Sequence, residues 1–386
     1  MTVHFPQEAE SFQAQAALSP IVWAQPERQA AFDQWLASVA PQYGLRPDSL
    51  CSASSDASFR RYFRIHGDAV TFIIMDAPPP EENVRPFLDM AQKIKRAGLN
   101  APEVLAADEN QGFLLLTDLG SRLYLAALEQ ATPDEASMLM RQAIEALVQW
   151  QVRLSPQGLP DYNHALLHRE LELFPEWCVG REYGRQWSAA EQAVWQQVCG
   201  ALVASALAQA TVVVHRDYMP RNLMVTSLSS EACRVWGVES ENQPQQGRFL
   251  PGDTLPGILD FQDAVRGPIS YDVASLIRDA FISWNEEQEL DFAVRYWQAA
   301  CAAQLPVGPD FGEFWRALEW MGLQRHLKVL GIFCRLKHRD AKPKYSQDLP
   351  RFFSYAHKVA TRYATLRPLC LLLEPLMGES RHAAYY

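Results

Sequence analysis

Residues 211–225 read TVVVHRDYMPRNLMV, and residues 257–263 read GILDFQD. The first stretch opens on a β-forming apolar run and continues into His215-Arg216-Asp217, with Asn222 five residues beyond the aspartate. The second is another short apolar run, and it ends in Asp260-Phe261. A loop aspartate alone can cap a helix, and a loop asparagine alone can make a turn. Two ordered motifs, each at the end of a β-like run, are much harder to produce by accident.

The residue types point to phosphoryl transfer from Mg-ATP. That chemistry needs one carboxylate to orient or deprotonate the attacking hydroxyl, and an amide and a second carboxylate to hold metal ions on the phosphates. Asp217 fits the first role; Asn222 and Asp260 fit the second. H-R-D-x-x-x-x-N is also the spacing of the protein-kinase catalytic loop.

Composition sets the bounds. The 386 residues can hold one large domain or a few smaller ones, and 48% hydrophobic with 21% charged residues supports a sizeable core. A net charge of −10 argues against a nucleic-acid footprint, which needs a basic face. No run of about 18 apolar residues is present, so no membrane span is expected. The N-terminus MTVHFPQEAESFQAQ lacks the basic start and apolar centre of a secretory signal. Seven scattered cysteines without a C-x-x-C read as reduced thiols of a cytoplasmic protein. No obligate protein partner is evident.

Working outward, residues 28–40 have helical spacing, after a loosely structured lead over 1–27. Strands are expected near 50–53, 59–66 and 70–75, the last stopped by Pro78-Pro79-Pro80. Residues 84–97 read as a helix ended by Gly98, and short strands follow near 104–107 and 113–116. Beyond Thr117-Asp118-Leu119-Gly120 the pattern turns helical: 133–153 (starting at Thr132-Pro133-Asp134-Glu135), 189–209, 272–284, 287–304, 311–336 and 347–366. The fold class is therefore α+β, with a protein-kinase-like order. A small antiparallel β lobe with one internal helix (1–117) leads into a larger, mostly helical lobe (118–386), and ATP is expected in the cleft between such lobes. Residues 226–256, rich in Ser, Glu, Gln, Pro and Gly, read as a surface hairpin or loop insertion rather than a functional lid.

At these motifs the chain resembles the aminoglycoside phosphotransferase-like kinases. Within them it is most similar to the bacterial anomeric sugar kinases of cell-wall recycling, which convert N-acetylmuramate and N-acetylglucosamine to α-1-phosphates. The residues that carry the resemblance are SDASFRRYFR (55–64), IIMDAPPP (73–80), GFLLLTDLG (112–120), HRDYMPRNLM (215–224), DFQDAVRGPISYDVASLIRDAF (260–281) and QRHLKVLGIFCRLKHRD (324–340). The resemblance implies Asp217 as catalytic base, Asn222 and Asp260 as Mg ligands, and Asp272 as a buried brace of the catalytic loop. Asp272 also reads as a helix N-cap. His215 is read as a packing and hydrogen-bonding residue. Leu115, Leu116, Thr117 and Asp118 would form the hinge whose backbone meets adenine. The acceptor would be a small amino sugar. Other small-molecule kinases of the same fold (aminoglycoside, choline, homoserine, fructosamine) and a nucleotide-binding pseudokinase stand as alternatives.

Two departures from protein kinases stand out. The third strand, FIIMD, has no lysine for the ATP phosphates, and Glu81 and Glu82 occur only at the start of the next helix, so the usual lysine–glutamate pair is not expected. No glycine-rich loop is present either. Ser55 and Ser58 in SSDAS are small enough to let backbone N–H groups approach phosphate. Arg60, Tyr62 and Arg64 alternate on one strand face; either an arginine supplies the missing charge, or Arg60, Arg61 and Arg64 are a solvated face. The second departure is DFQD in place of DFG, which argues against a DFG-type switch and leaves Asp263 to face the acceptor. Arg278, Asp279, Trp284, Arg325 and His326 are the further acceptor candidates. Arg325, Lys328 and Arg335 recur at helical spacing, either to meet an acceptor carboxylate or as a snorkelling rim.

Overall fold

The computed structural model describes residues 21–55, 59–226 and 255–377. The chain divides into two compact units, one comprising residues through Ala143 together with Pro220–Asp263, the other Ile144–Met219 and the residues from Ala264 onward.

The first unit is built on helix α1 (Pro26–Tyr43) and a five-stranded antiparallel sheet. Proline suits the first turn of α1, where its missing N–H has no helical partner. Gly44 ends the helix at φ +59°, and a Cβ there would fall 2.4 Å from Asp68 Oδ2. Strands β1 (Arg46–Ser55), β2 (Arg61–His66), β3 (Thr71–Asp76), β4 (Val104–Asp108) and β5 (Phe113–Thr117) lie in the order β1-β2-β3-β5-β4. Phe63 and Ile65 alternate to the same side of β2, and with Ile74, Phe113 and Leu115 they meet Phe32, Trp35 and Leu36 of α1. Each such side chain contributes about 1.5–3 kcal/mol on burial, so this face fixes the sheet register.

Helix α2 (Arg85–Arg96) buries Phe87, Met90, Ala91 and Ile94, a stripe at helical spacing, and carries Lys93, Lys95 and Arg96 in its last turn, where cations complement the helix dipole. The stripe packs onto the motif segment: the Phe87 and Phe261 ring centroids are 4.7 Å apart. In the same unit β7 (Leu223–Met224) pairs with β8 (Gly257–Ile258). The Leu259 N–H donates to Asn222 O at 2.9 Å, and the Ile258 N–H donates to Asn100 O at 2.8 Å. A short ladder thus joins the two motif residues Asn222 and Asp260 across 38 positions of sequence.

Helix α3 (Tyr124–Glu129) precedes α4 (Pro133–Arg153), which runs through the division at Ala143. Thr132 and Glu135 cap α4 reciprocally: the Thr132 N–H donates to Glu135 Oε2 at 2.8 Å and the Glu135 N–H to Thr132 Oγ1 at 3.4 Å.

The second unit is mostly helical. It contains α5 (His164–Leu171), a π-helical stretch Phe174–Glu182, α6 (Ala189–Leu207), the strand pair β6 (Thr211–Val214) and β9 (Val265–Pro268), then α7 (Ser270–Ile277), α8 (Glu286–Ala302), α9 (Phe311–His338), α10 (Leu349–Arg362) and α11 (Cys370–Met377). Trp150 Nε1 donates to Val213 O at 3.0 Å, fixing β6 on α4. At Gly331 of α9 a Cβ would lie 2.4 Å from the carbonyl carbon of Leu173, so only glycine lets the two backbones approach this closely.

The strands and most helices fall where the sequence puts them, with a few differences. The helix expected over 272–284 stops at Ile277, because Arg278 turns out of helical geometry and buries its guanidinium between two carboxylates. The short helix α3, the helical stretches between 164 and 182, and α11 are additions. Among the described residues, no helix is long and apolar enough to cross a membrane.

Candidate active site

β6 delivers His215, Arg216 and Asp217. Arg216 adopts φ +78°, a conformation that side chains disfavour, so something must hold it there. Its N–H donates to Asp272 Oδ1 at 3.0 Å, its carbonyl accepts from Arg325 Nη1 at 3.1 Å, and its guanidinium donates to Glu170 Oε1 at 3.1 Å. Asp272 Oδ2 also accepts the His215 N–H at 2.7 Å. Asp272 lies in the first turn of α7, yet its carboxylate is spent on the loop. Burial pushes its carboxyl up to about 6, against the pull of His215 and the two backbone N–H groups. His215 is buried against Trp150, and its Nδ1 accepts the Asp217 N–H at 3.3 Å.

Glu170, at the end of α5, is the hub beneath this loop. It accepts from Arg216, from Lys328 Nζ at 2.8 Å, from Gln324 Nε2 at 3.4 Å and from the Tyr162 hydroxyl. Burial alone would raise its carboxyl; Lys328, Tyr162 and Arg216 outweigh this and hold it below its ordinary value. Lys328 also donates to the Tyr271 hydroxyl at 3.2 Å, and the Arg325 guanidinium lies 4.7 Å from the Tyr271 ring centroid. Burial disfavours the charges of Arg216, Arg325 and Lys328, and Asp217 is one of the groups that offset it for all three. Lys328 is thus part of a buried cluster rather than a solvated rim.

The other acceptor candidates of this unit have partners other than Glu170. Arg278 is buried between Glu289 (3.2 Å) and Glu319 (3.0 Å), and Glu319 also takes Arg362 and Tyr363. Asp279 Oδ1 accepts the Ala280 N–H at 2.5 Å, and Trp284 packs edge-on against Phe292. The His326 ring stacks on Tyr355 at 5.1 Å; burial first, and then Arg278, push its imidazolium down to about 3, so it is neutral near pH 7. Arg335 is held below its ordinary value by burial and by Arg339.

In the first unit, Asn222 Nδ2 lies 3.4 Å from Asp260 Oδ2, and Gln262 Nε2 donates to Asp260 Oδ1 at 2.8 Å and reaches Asp263 Oδ2 at 3.4 Å. Asp260, like Arg216, has a positive φ, +61°. Each arginine of the 60–64 segment has a carboxylate. Arg61 joins Arg28 on the buried Asp76. Arg64 donates to Asp118 Oδ2 at 2.6 Å and to Gly120 O at 2.7 Å. Burial works to raise the Asp118 carboxyl, and hydrogen bonds from Arg64, Thr71 and Gly120 hold it below its ordinary value. Arg60 Nε donates to Glu82 at 2.9 Å. An ion pair not expected from the third strand therefore exists just ahead of β2. Burial acts against the Arg60 charge, and Tyr62, Glu82 and Asp260 outweigh it.

Leu115 and Leu116 are buried in β5, where Leu116 pairs with Ile73 and Val104. The Thr117 N–H donates to Glu103 O at 3.0 Å, and its hydroxyl oxygen accepts the Glu103 N–H at 2.9 Å. Ser55 closes β1 opposite Arg61; Ser58 and residues 227–254 lie outside the described residues. Glu170 is not singled out by the sequence reading, which names Glu82 only to set it aside as a lysine partner, and their partners in space identify both.

Known proteins are similar to this chain over most of its length. The chain is 46% identical over 333 residues to an N-acetylmuramate/N-acetylglucosamine kinase of Pseudomonas putida, covering 86% of this chain and 90% of the relative. A kinase of the same name from Neisseria meningitidis is 44% identical over 355 residues, covering 92% and 97%. Among solved structures, the GDP complex of aminoglycoside 2'-phosphotransferase-IIIa superimposes with a TM-score of 0.56 at 11% identity, covering 86% of this chain and 99% of that one. A choline kinase of Streptococcus pneumoniae does so with a TM-score of 0.53 at 11% identity, covering 85% and 99%. These likenesses bear out the kinase-like α+β fold. With the sequence model of the phosphotransferase enzyme family matching residues 49–238 and 249–315, they show that the chain belongs to that family.

Proposed function

We propose that the protein is an ATP-dependent amino-sugar kinase that phosphorylates the anomeric hydroxyl of N-acetylmuramate, N-acetylglucosamine or both to the α-1-phosphate, in the cytoplasmic recycling of peptidoglycan. The observation that carries this reading is the coexistence of the Asp217, Asn222 and Asp260 motif residues with relatives that bear this sugar-kinase name at above 40% identity over most of the chain. In this reading residues 1–117 form the nucleotide-binding lobe, and residues 118–386 carry the catalytic loop, the metal site and the acceptor pocket.

The roles follow from chemistry. Asp217 orients the acceptor hydroxyl and takes its proton, and it is among the groups that offset the burial of the Arg216, Arg325 and Lys328 charges. An anomeric hydroxyl is more acidic than an ordinary alcohol, so modest base help suffices and positioning supplies most of the rate. Asn222 and Asp260 fit magnesium: both carry a hard oxygen donor, and their side chains are adjacent, with Asn222 Nδ2 3.4 Å from Asp260 Oδ2, so a turn of the amide would bring its oxygen to the same place. Bound there, the ion would neutralise charge on the transferred phosphate. Arg60 takes the place of the missing third-strand lysine. It is held by Glu82 as that lysine is held by its helix glutamate, it feels the Asp260 charge, and its planar fork suits phosphate. Of the Leu115–Asp118 hinge, the backbone that leaves β5 at Asp118 is the adenine contact, because Leu115 and Leu116 are paired on both sides, with Ser55 and Ser58 assigned to the phosphates.

Coupled ADP release with Mg-ATP, comparing N-acetylmuramate, N-acetylglucosamine and kanamycin, with phosphorus NMR of the product, tests the reading. An α-1-phosphate from either sugar supports it. Turnover of kanamycin with both sugars silent overturns it.

A further inference from the structure

The geometry points to a transition-metal site, unrelated to the phosphate-binding residues, formed by His357, Cys370 and Glu374, with zinc the ion its donors suit. Among the described residues, their three ligand atoms all lie within 4.8 Å of one another. His357 projects from α10, while Cys370 and Glu374 stand four residues apart on α11 and so share one helical face.

The donor set is what distinguishes this cluster from a chance surface pair. A thiol, an imidazole and a carboxylate together form the mixed N/S/O set that zinc accepts, and three protein ligands with a remaining open position match the coordination of a non-closed zinc site. The His357 Nε2 to Glu374 Oε1 separation of 3.2 Å is a hydrogen-bond length. It is also about the edge of a tetrahedron whose metal–ligand bonds are near 2.0–2.1 Å. Cys370 is buried and Glu374 is partly exposed, so the pocket has a dry thiol end and a wet carboxylate end through which an ion can enter. Burial holds the thiol proton on, and a bound metal would displace it.

The location gives the site a consequence. α10 carries Phe352 and Tyr355, whose rings pack on His326, and Arg351, which donates to Ser283 Oγ at 3.0 Å and to Ala280 O beyond the end of α7. Pinning α10 to α11 would stiffen the element that buttresses this region, so the metal would act on stability and leave the chemistry of transfer in place.

The test uses the full chain after chelation and desalting, titrated with Zn2+ and, separately, with Co2+. Zinc is expected to raise the Tm in a concentration-dependent way, and cobalt to give thiolate-to-metal charge-transfer absorption with tetrahedral d–d bands. Glu374→Gln, at the exposed end, should fold normally and weaken binding by about 10-fold or more; Cys370→Ser should abolish the charge-transfer band, and His357→Gln should shift the d–d bands. Kinase turnover reads out separately, so failure of this site leaves the functional reading intact, and failure of that reading leaves the site intact. No zinc-dependent Tm rise in the parent, or a cobalt spectrum unchanged in the Glu374→Gln and Cys370→Ser proteins, overturns the assignment.

Discussion

The Asp272 carboxylate accepts the backbone N–H of Arg216 at 3.0 Å, and Arg216 is the residue whose φ of +78° turns the chain toward Asp217. A buried side chain thus supplies the hydrogen bond that the strained backbone lacks, and its other oxygen does the same for His215.

Removing that acceptor should be costly. Asp272→Ala leaves two N–H groups without their partner, at about 1–3 kcal/mol each, and should lower both Tm and kcat. The raised carboxyl also predicts a pH effect. Its folded value of about 6 lies above the ordinary 3.8, so its contribution to stability is fully present below 3.8 and is lost as pH rises through about 6. Its function runs the other way, because only the carboxylate offers two full acceptors. A kcat limb with a midpoint near pH 6 should appear in the parent and vanish, at lower kcat, in Asp272→Asn.

Glu170 should behave as a positioning residue. Glu170→Gln leaves Arg216 and Lys328 facing each other with weaker compensation, and breaking a buried pair from one side costs about 3–5 kcal/mol. The kcat should fall much more than the KM for ATP rises. In a double-mutant cycle with Lys328→Met the two losses should be far from additive. Additive losses would show that the two side chains act independently.

Arg60 and Arg64 should part company. Arg60→Ala should raise the KM for ATP by about 10-fold or more, the loss of one charge-assisted contact, while Arg60→Lys restores part of it. Arg64→Ala removes ties to Asp118 and Gly120 and should lower Tm. ATP kinetics of Arg60→Ala matching the parent would mean that another group meets the phosphates.

His326 makes the fold acid-sensitive in a defined direction. Its folded value of about 3 lies below the ordinary 6.5, so its contribution is present above 6.5 and is lost as pH falls toward 3. His326→Phe keeps a ring against Tyr355 and should show a smaller drop in Tm between pH 7 and pH 5 than the parent does.

Much of this was legible in the sequence because it is local. The alternation of Phe63 and Ile65, the stripe from Phe87 to Ile94 and the Thr132–Glu135 cap are all written within a few residues. The motif residues Asp217, Asn222 and Asp260 stood out for the same reason. What stayed hidden is long-range. Glu170 meets Arg216 across 46 positions and Lys328 across 158, and Glu82 meets Arg60 across 22. No periodicity encodes such pairs. The end of α7 was missed because burial of Arg278 between Glu289 and Glu319 overrides a helical pattern that runs on to Trp284.

The most direct test of the account is Asp217→Asn, measured for Mg-ATP binding by calorimetry and for transfer to N-acetylmuramate and N-acetylglucosamine in a single turnover. Loss of a general base costs about 10²–10⁴-fold in rate, so the account predicts nucleotide binding close to the parent's with transfer reduced at least 100-fold. An Asp217→Asn protein that phosphorylates either sugar at the parent's rate would contradict it.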